Sequence, residues 1–363
     1  MLGLIAFAAL AAADAGIATP PQKSWGPYTY DTVKVGDGVY AFIETMHSIV
    51  SGNVIAVIGT RSILVFDTGQ HPPMAHAIAE DIKRLSDKPV RYIAVSHWHD
   101  DHWVGNADFA AVYPDVQVLA HPFTAAQIAE RRATFAGAPC KALLEKQVKP
   151  MRDELASGKK ADGSPVSDER RKALAVEAAG FDEQEKECDQ MRFRGVDLTF
   201  ESKLAIDLGG RTVELMHLGR GNTAGDIVAW LPESKTLLTG DLLVHPFPFA
   251  TQSYITEWAA VMHKLDALDA TTIVPGHGPV MHDKRYLEDV AALLDALSAQ
   301  AHAAYRPGMT ADELRSKVDF SAFSDRFSHG ERFIKINFDY MIGQPAIDRL
   351  WQELSGQWKP EGE

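Results

Sequence analysis

The sequence predicts an α/β protein in which helices cover sheet, and three observations carry that reading. Short apolar or alternating runs recur with Gly-containing breaks between them, as strands do. Helical periodicity interrupts these runs at 74–85 and returns at 284–303. Several of the runs end on Asp or His, so that polar side chains of one chemical kind collect at strand ends. Strands, one helix and further strands in that order describe a sheet with helices packed on it.

Residues 33–43 and 54–66 read as consecutive strands of a meander, the second closed by Asp67-Thr68-Gly69. The helix at 74–85 leads to a strand at 90–95, and 116–120 is another, ending at His121-Pro122. From about 123 to 193 the composition turns charged and Ala-rich, with a break at 158–165 and Ser167 as a plausible N-cap for a second long helix. This helical insertion either roofs a site or covers sheet surface. Strand signals resume at 196–200, 204–208, 213–215, 227–230 and 236–239, and Ile273-Val274 precedes a Pro-Gly-His-Gly turn. After the amphipathic helix at 284–303, residues 310–354 read as short helices with an aromatic-rich middle.

The chain has 363 residues, 46% of them hydrophobic, enough for one large domain with an extension or for two smaller ones. A formal net charge of −13 argues against a nucleic-acid partner, because phosphate binding draws on clustered Lys and Arg. Residues 2–15 form an apolar run too short to span a bilayer, and Ala13-Asp14-Ala15 offers a small-x-small cleavage pattern. Residues 1–15 are therefore expected to be a signal peptide. The expected protein is periplasmic or secreted, with no stable membrane association once the signal is removed. No Lys or Arg precedes the run, so an ordinary hydrophobic N-terminus is the alternative. Cys140 and Cys188 stand outside any C-x-x-C spacing and are poor metal ligands; in an oxidising compartment they can form one disulfide if their Cα atoms lie close enough.

The densest chemistry lies in Ser96-His97-Trp98-His99-Asp100-Asp101-His102-Trp103, directly after the strand at 90–95. Imidazole nitrogen and carboxylate oxygen both bind Zn²⁺ at about 2.0–2.2 Å. Three imidazoles and two carboxylates within six positions exceed any folding requirement, and the alternative of a solvated polar turn does not explain them. Open α/β sheets place ligand sites at such strand ends. His97 and His99 can converge on one ion while Asp101 and His102 turn toward a second position. Asp241, in Thr239-Gly240-Asp241, and His277, in Pro275-Gly276-His277-Gly278, lie at strand ends of the second half and can reach the same cleft.

His97-x-His99-x-Asp101-His102 followed by Asp241 and His277 resembles the metallo-β-lactamase superfamily of metallohydrolases, from about Tyr28 to Tyr286. The resemblance implies a four-layer αββα sandwich over 21–295, carrying the insertion at about 123–193, with a C-terminal helical extension over 296–363. It implies a cleft for one or two Zn²⁺. His97 and His99 would serve the first metal, Asp101, His102 and His277 the second, and Asp241 would bridge. Asn222 stands where the family usually has the third His of the first site, and an amide oxygen is a weak ligand for zinc. The first metal should then bind loosely or not at all, with Asn222 either coordinating or satisfying backbone groups in a turn. His217, five residues earlier, is a less suitable substitute. Asp67 would support the metal loop through hydrogen bonds without being a ligand.

Zinc lowers the pKa of water toward about 7, supplying hydroxide at neutral pH, and polarises a carbonyl. Asp101 would orient that hydroxide, and with Asn222 at the first site it forms the expected catalytic pair. The expected activity is hydrolysis of a small cyclic amide or ester, β-lactam opening first and lactone or aryl-ester cleavage second. A non-catalytic metal-binding domain is the alternative of a different class. His121, His245, His263 and His282 read as surface or satisfied histidines. Phe247 and Phe249 read as packing or as an apolar substrate wall, and Trp98 and Trp103 as shields of the cluster. Oligomeric state is not legible.

Overall fold

The computed structural model describes residues 23–25, 28–44, 51–159 and 163–358, so the signal peptide expected at 1–15 lies outside the described residues. The first half contains strands β1 (Lys23–Trp25), β2 (Tyr28–Gly36), β3 (Val39–Glu44), β4 (Val54–Ile58) and β5 (Ile63–Phe66). Helix α1 (Pro72–Leu85), β6 (Val90–Ala94), α2 (Asp100–Trp103), α3 (Asn106–Val112) and β7 (Gln117–Ala120) follow. Helices α4 (Pro122–Glu130), α5 (Gly137–Ser157) and α6 (Asp168–Glu187) lead to β8 (Leu198–Thr199). These eight strands form one sheet in sequence order, antiparallel from β1 to β5 and parallel from β5 to β8.

Parallel neighbours need a crossover of a dozen or more residues. That explains α1 between β5 and β6, α2 and α3 between β6 and β7, and the insertion α4–α6 between β7 and β8. The insertion is thus the third crossover of the sheet. It packs Phe135, Leu144, Val148 and Phe181 into the cluster that also holds Met74, Ile78 and Ile82 of α1. Ser167 caps α6 by accepting from Arg170 N–H at 3.2 Å. Cys140 and Cys188 form a disulfide across the insertion, with Cα atoms 5.8 Å apart.

The second half supplies β9 (Lys203–Asp207), β10 (Thr212–Met216), β11 (Val228–Leu231), β12 (Thr236–Leu238), α7 (Ile255–Asp266), β13 (Thr272–Val274) and α8 (Arg285–Ala304). Its strands form a sheet in the order β13-β12-β11-β10-β9, with only β12–β13 parallel. Helices α9 (Ala311–Arg315), α10 (Ser321–Ser328), α11 (Arg332–Phe338) and α12 (Gln344–Ser355) complete the chain.

Period-2 alternation with apolar residues on both faces builds the layers. In β4 and β5, Val54, Ala56, Ile63 and Val65 face the helices, whereas Ile55, Val57, Leu64 and Phe66 face the other sheet. Val213, Leu215, Ala229, Leu231, Leu238 and Val274 answer them from the second sheet. Trp230, Leu237 and Ile273 turn outward to Trp258 of α7 and Leu294 of α8. The result is the expected αββα sandwich. The C-terminal helices share the apolar layer on the helix side of the second sheet through Phe327, Phe338, Ile347 and Leu350. No helix among the described residues is long and apolar enough to cross a membrane.

Candidate metal centre

β5 and β6 run parallel, so the residues that leave their C-terminal ends meet. Asp67 leaves β5 with φ of 59°, a left-handed conformation that a non-glycine residue adopts at a cost. It turns its carboxylate into the neighbouring loop, where Oδ1 accepts from Ser96 N–H at 2.6 Å and Oδ2 lies 2.8 Å from His102 Nδ1. Beyond supporting the loop backbone, Asp67 therefore orients His102 and leaves its Nε2 facing inward. Ser96 Oγ does the same for His97, 2.9 Å from its Nδ1.

A segment absent from the sequence expectation ties the two halves together. Gly52 N–H donates to the carbonyl of Asp101 at 3.0 Å, and Asn53 N–H to that of Gly276 at 2.7 Å. Asn53 Nδ2 adds bonds to the carbonyls of Pro275 and Gly278 at 3.0 and 2.9 Å. A Cβ on Gly52 would lie 2.6 Å from His102 Cε1, so the close approach requires glycine. Ser-Gly-Asn before a strand is an ordinary turn sequence, and nothing in it signals this role.

The structure brings His97, His99, Asp101, His102, Asp241 and His277 together. Asp241, after β12, divides its carboxylate: Oδ2 lies 3.6 Å from His97 Nε2, while Oδ1 lies 3.2 Å from His102 Nε2 and 3.4 Å from His277 Nε2. Asp101 Oδ2 is 3.1 Å from His277 Nε2 and 3.5 Å from His102 Nε2. His97 Nε2 and His99 Nδ1 approach to 2.8 Å. Among the described residues two groups could hold an ion, His97–His102–Asp241 and Asp101–His102–His277, each with its ligand atoms within 4.8 Å of one another. His97, His102 and Asp241 are buried, whereas His99, Asp101 and His277 are partly exposed and form the open face.

Electrostatics and hydrogen bonding fit a cation. Burial opposes charge on His277, but Asp241 and Asp101 outweigh it and raise its pKa to about 10. Burial likewise opposes ionisation of Asp101, and His102 with His277 overcome it and hold the carboxyl well below its usual range. His97, deep in the protein and beside His102, is pushed down and stays neutral. A divalent ion would replace the protons of His102 and His277 as the positive charge between these carboxylates. Asn222 Oδ1 is buried with no hydrogen-bond partner, an arrangement costly for a polar atom unless a ligand satisfies it.

Asn222 spends its Nδ2 on the carbonyl of Phe249 at 2.8 Å, so its oxygen is the atom left over. The turn around it is closed by its neighbours, with Thr223 N–H and Oγ1 bonded to the Asp226 carboxylate at 2.9 and 2.8 Å. His217 has its Nδ1 2.8 Å from the Asp226 carbonyl and stacks on His121 at 4.2 Å; neither belongs to the two groups above.

Gln252 was not foreseen either. Its Oε1 lies 2.8 Å from His99 Nε2, which places the proton there and leaves Nδ1 free to ligate. An isolated Gln 153 positions downstream gives no sequence signal. The rings of Trp98 and Phe249 flank His99 at 4.6 and 6.0 Å, while Phe247 packs away from it against Phe338. The aromatic stretch is thus divided between wall and core. Trp103 is buried against Phe135 and bonds the Trp98 carbonyl through Nε1 at 3.0 Å. Arg131 of the insertion lies over the Trp98 ring and 3.2 Å from Asp100, so the crossover also reaches the rim.

A family model described as the metallo-beta-lactamase superfamily matches residues 48–277. A linear primary-alkylsulfatase of Pseudomonas sp. is 23% identical over 269 residues, which are 71% of this chain and 48% of that protein. The chain spans about half the length of the curated relatives it matches. Among solved structures, a stereoselective inverting sec-alkylsulfatase from Pseudomonas sp. superposes with a TM-score of 0.60 at 15% identity, covering 90% of this chain and 50% of that one. A metallo-beta-lactamase from Pontibacter korlensis gives 0.50 at 21% identity, over 73% of this chain and 99% of that one. These likenesses show a shared fold.

Proposed function

The chain belongs to the metallo-beta-lactamase superfamily, and on that premise we propose that it is a zinc-dependent hydrolase of small cyclic amides or esters. One observation carries the reading: Asp241 offers one carboxylate oxygen to His97 and the other to His102 and His277, so two donor sets adjoin across a single residue. A first ion would be held by His97 and His99, with the oxygen of Asn222 as a weak further donor, and a second by Asp101, His102 and His277. Bound zinc lowers the pKa of water toward about 7 and polarises the scissile carbonyl.

The chain's own residues supply the rest. Asp101 stands on the open face and orients the attacking water through its carboxylate. Asp67 and Ser96 hold His102 and His97 in the ring orientations that present Nε2 inward. Phe249, partly exposed, offers an apolar wall beside His99, and the buried Trp98 packs on the same imidazole. Weak coordination by Asn222 favours substrates with good leaving groups, such as lactones and activated esters, over unstrained amides.

The test is turnover of a chromogenic cephalosporin, a lactone and an aryl ester with added Zn²⁺. Cleavage of at least one above the rate of an Asp101→Ala control is expected; no cleavage above that control on any of the three would overturn this reading, and no sulfate release from an alkyl sulfate either would leave a non-catalytic metal-binding protein. Sulfate-ester hydrolysis is the second reading, favoured by the alkylsulfatase relative and by the sec-alkylsulfatase fold covering 90% of the chain. Sulfate release from an alkyl sulfate, with none of the three other substrates cleaved, would select it. The disulfide between Cys140 and Cys188 supports export to the periplasm or beyond, since such bonds persist in oxidising compartments. The mature exported protein is expected to begin after residue 15 on N-terminal sequencing.

A further inference from the structure

The loop after Asp241 is held from one side by the C-terminal helices and holds the first metal position on the other. Ala250 N–H donates to the carbonyl of Met341 at 3.1 Å. Arg349 of α12, only 5% exposed, donates from Nε to the Ser253 carbonyl at 2.9 Å and from Nη2 to the Gln252 carbonyl at 3.2 Å. Its Nη1 bonds Gln352 Oε1 at 2.8 Å, and its guanidinium lies 3.9 Å over the Trp358 ring. A buried guanidinium is tolerated only when its donors are satisfied, so these bonds fix α12 against the loop.

On its other side the same loop reaches His99 and Asn222. Gln252 Oε1 meets His99 Nε2, and the Phe249 carbonyl receives Asn222 Nδ2, both at 2.8 Å. Tyr254 N–H, just beyond, donates to the Gly221 carbonyl at 2.8 Å and anchors the turn that carries Asn222. The second position touches only the start of this loop, where His245 N–H donates to the His277 carbonyl at 3.1 Å, and otherwise has separate supports. His102 is oriented by Asp67, Asp101 is held by Gly52, and the His277 turn is held by Asn53.

We infer that Gln252 and Arg349 are positioning residues for the first metal alone, so that the C-terminal helices set the affinity of one ion and leave the other untouched. The inference rests on the two-metal reading proposed above. Gln252 fixes the tautomer and rotation of His99, and Arg349 fixes the backbone from which Gln252 and Phe249 act. Outer partners of this kind control metal affinity by roughly 10–100-fold.

Zinc titration of the full chain against a competing chelator, with Co²⁺ absorption as a second readout, tests this. Gln252→Leu should weaken the looser of the two constants by about 10–100-fold and leave unchanged the constant for the first ion taken up. Gln252→Glu, which keeps an acceptor opposite His99, should restore the looser constant or tighten it. Arg349→Met should reproduce the selective loss with Gln252 in place. Gln252 is partly exposed, so its variants keep the test decisive even if Arg349→Met fails to fold. Equal weakening of both constants, or no change in either, would overturn the inference while leaving the two-metal reading intact. Uptake of fewer than two ions by the unaltered chain at any zinc concentration would overturn that reading as well.

Discussion

The two proposed metal positions lie side by side yet are built from different material. At the second, the supporting groups are a carboxylate, Asp67, and the backbone of Gly52 and Asn53, all rooted in the sandwich. At the first, they are a hydroxyl and two neutral amides, Ser96, Gln252 and Asn222, two of them on segments tied to the helices after the sandwich. A carboxylate behind an imidazole makes it a stronger ligand than an amide does, and an imidazole is itself a stronger zinc ligand than an amide oxygen. On the proposed reading the centre is graded, with one ion seated as part of the fold and the other held on adjustable terms.

Three substitutions and one pH dependence test this grading. Asp241→Ala removes the carboxylate common to both positions, so neither ion should be held and hydrolysis should fall to the Asp101→Ala level. Equilibrium dialysis that still finds one tightly bound ion would show that the sharing is not essential. Asp67→Asn should weaken the tighter constant by about 10–100-fold while the looser one holds. A change confined to the looser constant would reverse our assignment of supports.

Asn222→His sharpens the contrast from the other side, tightening the looser constant by about tenfold, the lower end of what even an outer partner controls. Metal analysis of unaltered protein purified without added zinc should give nearer one ion than two per chain, and the variant nearer two. The smallest effect concerns the protein stripped with a chelator. The pKa of His277 is raised to about 10 in the fold from about 6.5 in an unfolded chain. Its proton therefore stabilises the stripped protein fully below pH ~6.5, and that contribution drains away as pH climbs through about 10. The Tm gap between zinc-loaded and stripped protein should widen by a few degrees between pH 7 and pH 9, at roughly 2 °C per kcal/mol for a chain of this length. A constant or narrowing gap would mean that His277 carries no proton in the stripped state.

What the sequence revealed of this centre follows chemical conspicuousness. His97, His99, Asp101 and His102 stand too close together for chance, and Asp241 and His277 close strand runs that are continuously apolar because both faces of each sheet are buried. Asp67 was legible as a support, though its hydrogen bond to His102 depends on the unusual backbone angle at the end of β5. Gln252, Arg349 and Asn53 were not legible. Each acts across 96 to 225 positions through an amide or guanidinium whose type is common on any surface. The insertion was read as helical, but its part as the crossover that permits β8 to pair parallel to β7 emerges only from strand order.

The divided carboxylate of Asp241 has a thermodynamic consequence. An ion at either position draws on a residue that the other also uses, so the two equilibria are linked, and linkage is reciprocal: whatever factor the first occupant imposes on the second is returned unchanged. A signal from the C-terminal helices that loosens one ion therefore leaves unchanged the constant of its neighbour bound alone, and the shared carboxylate couples the two only once both are bound.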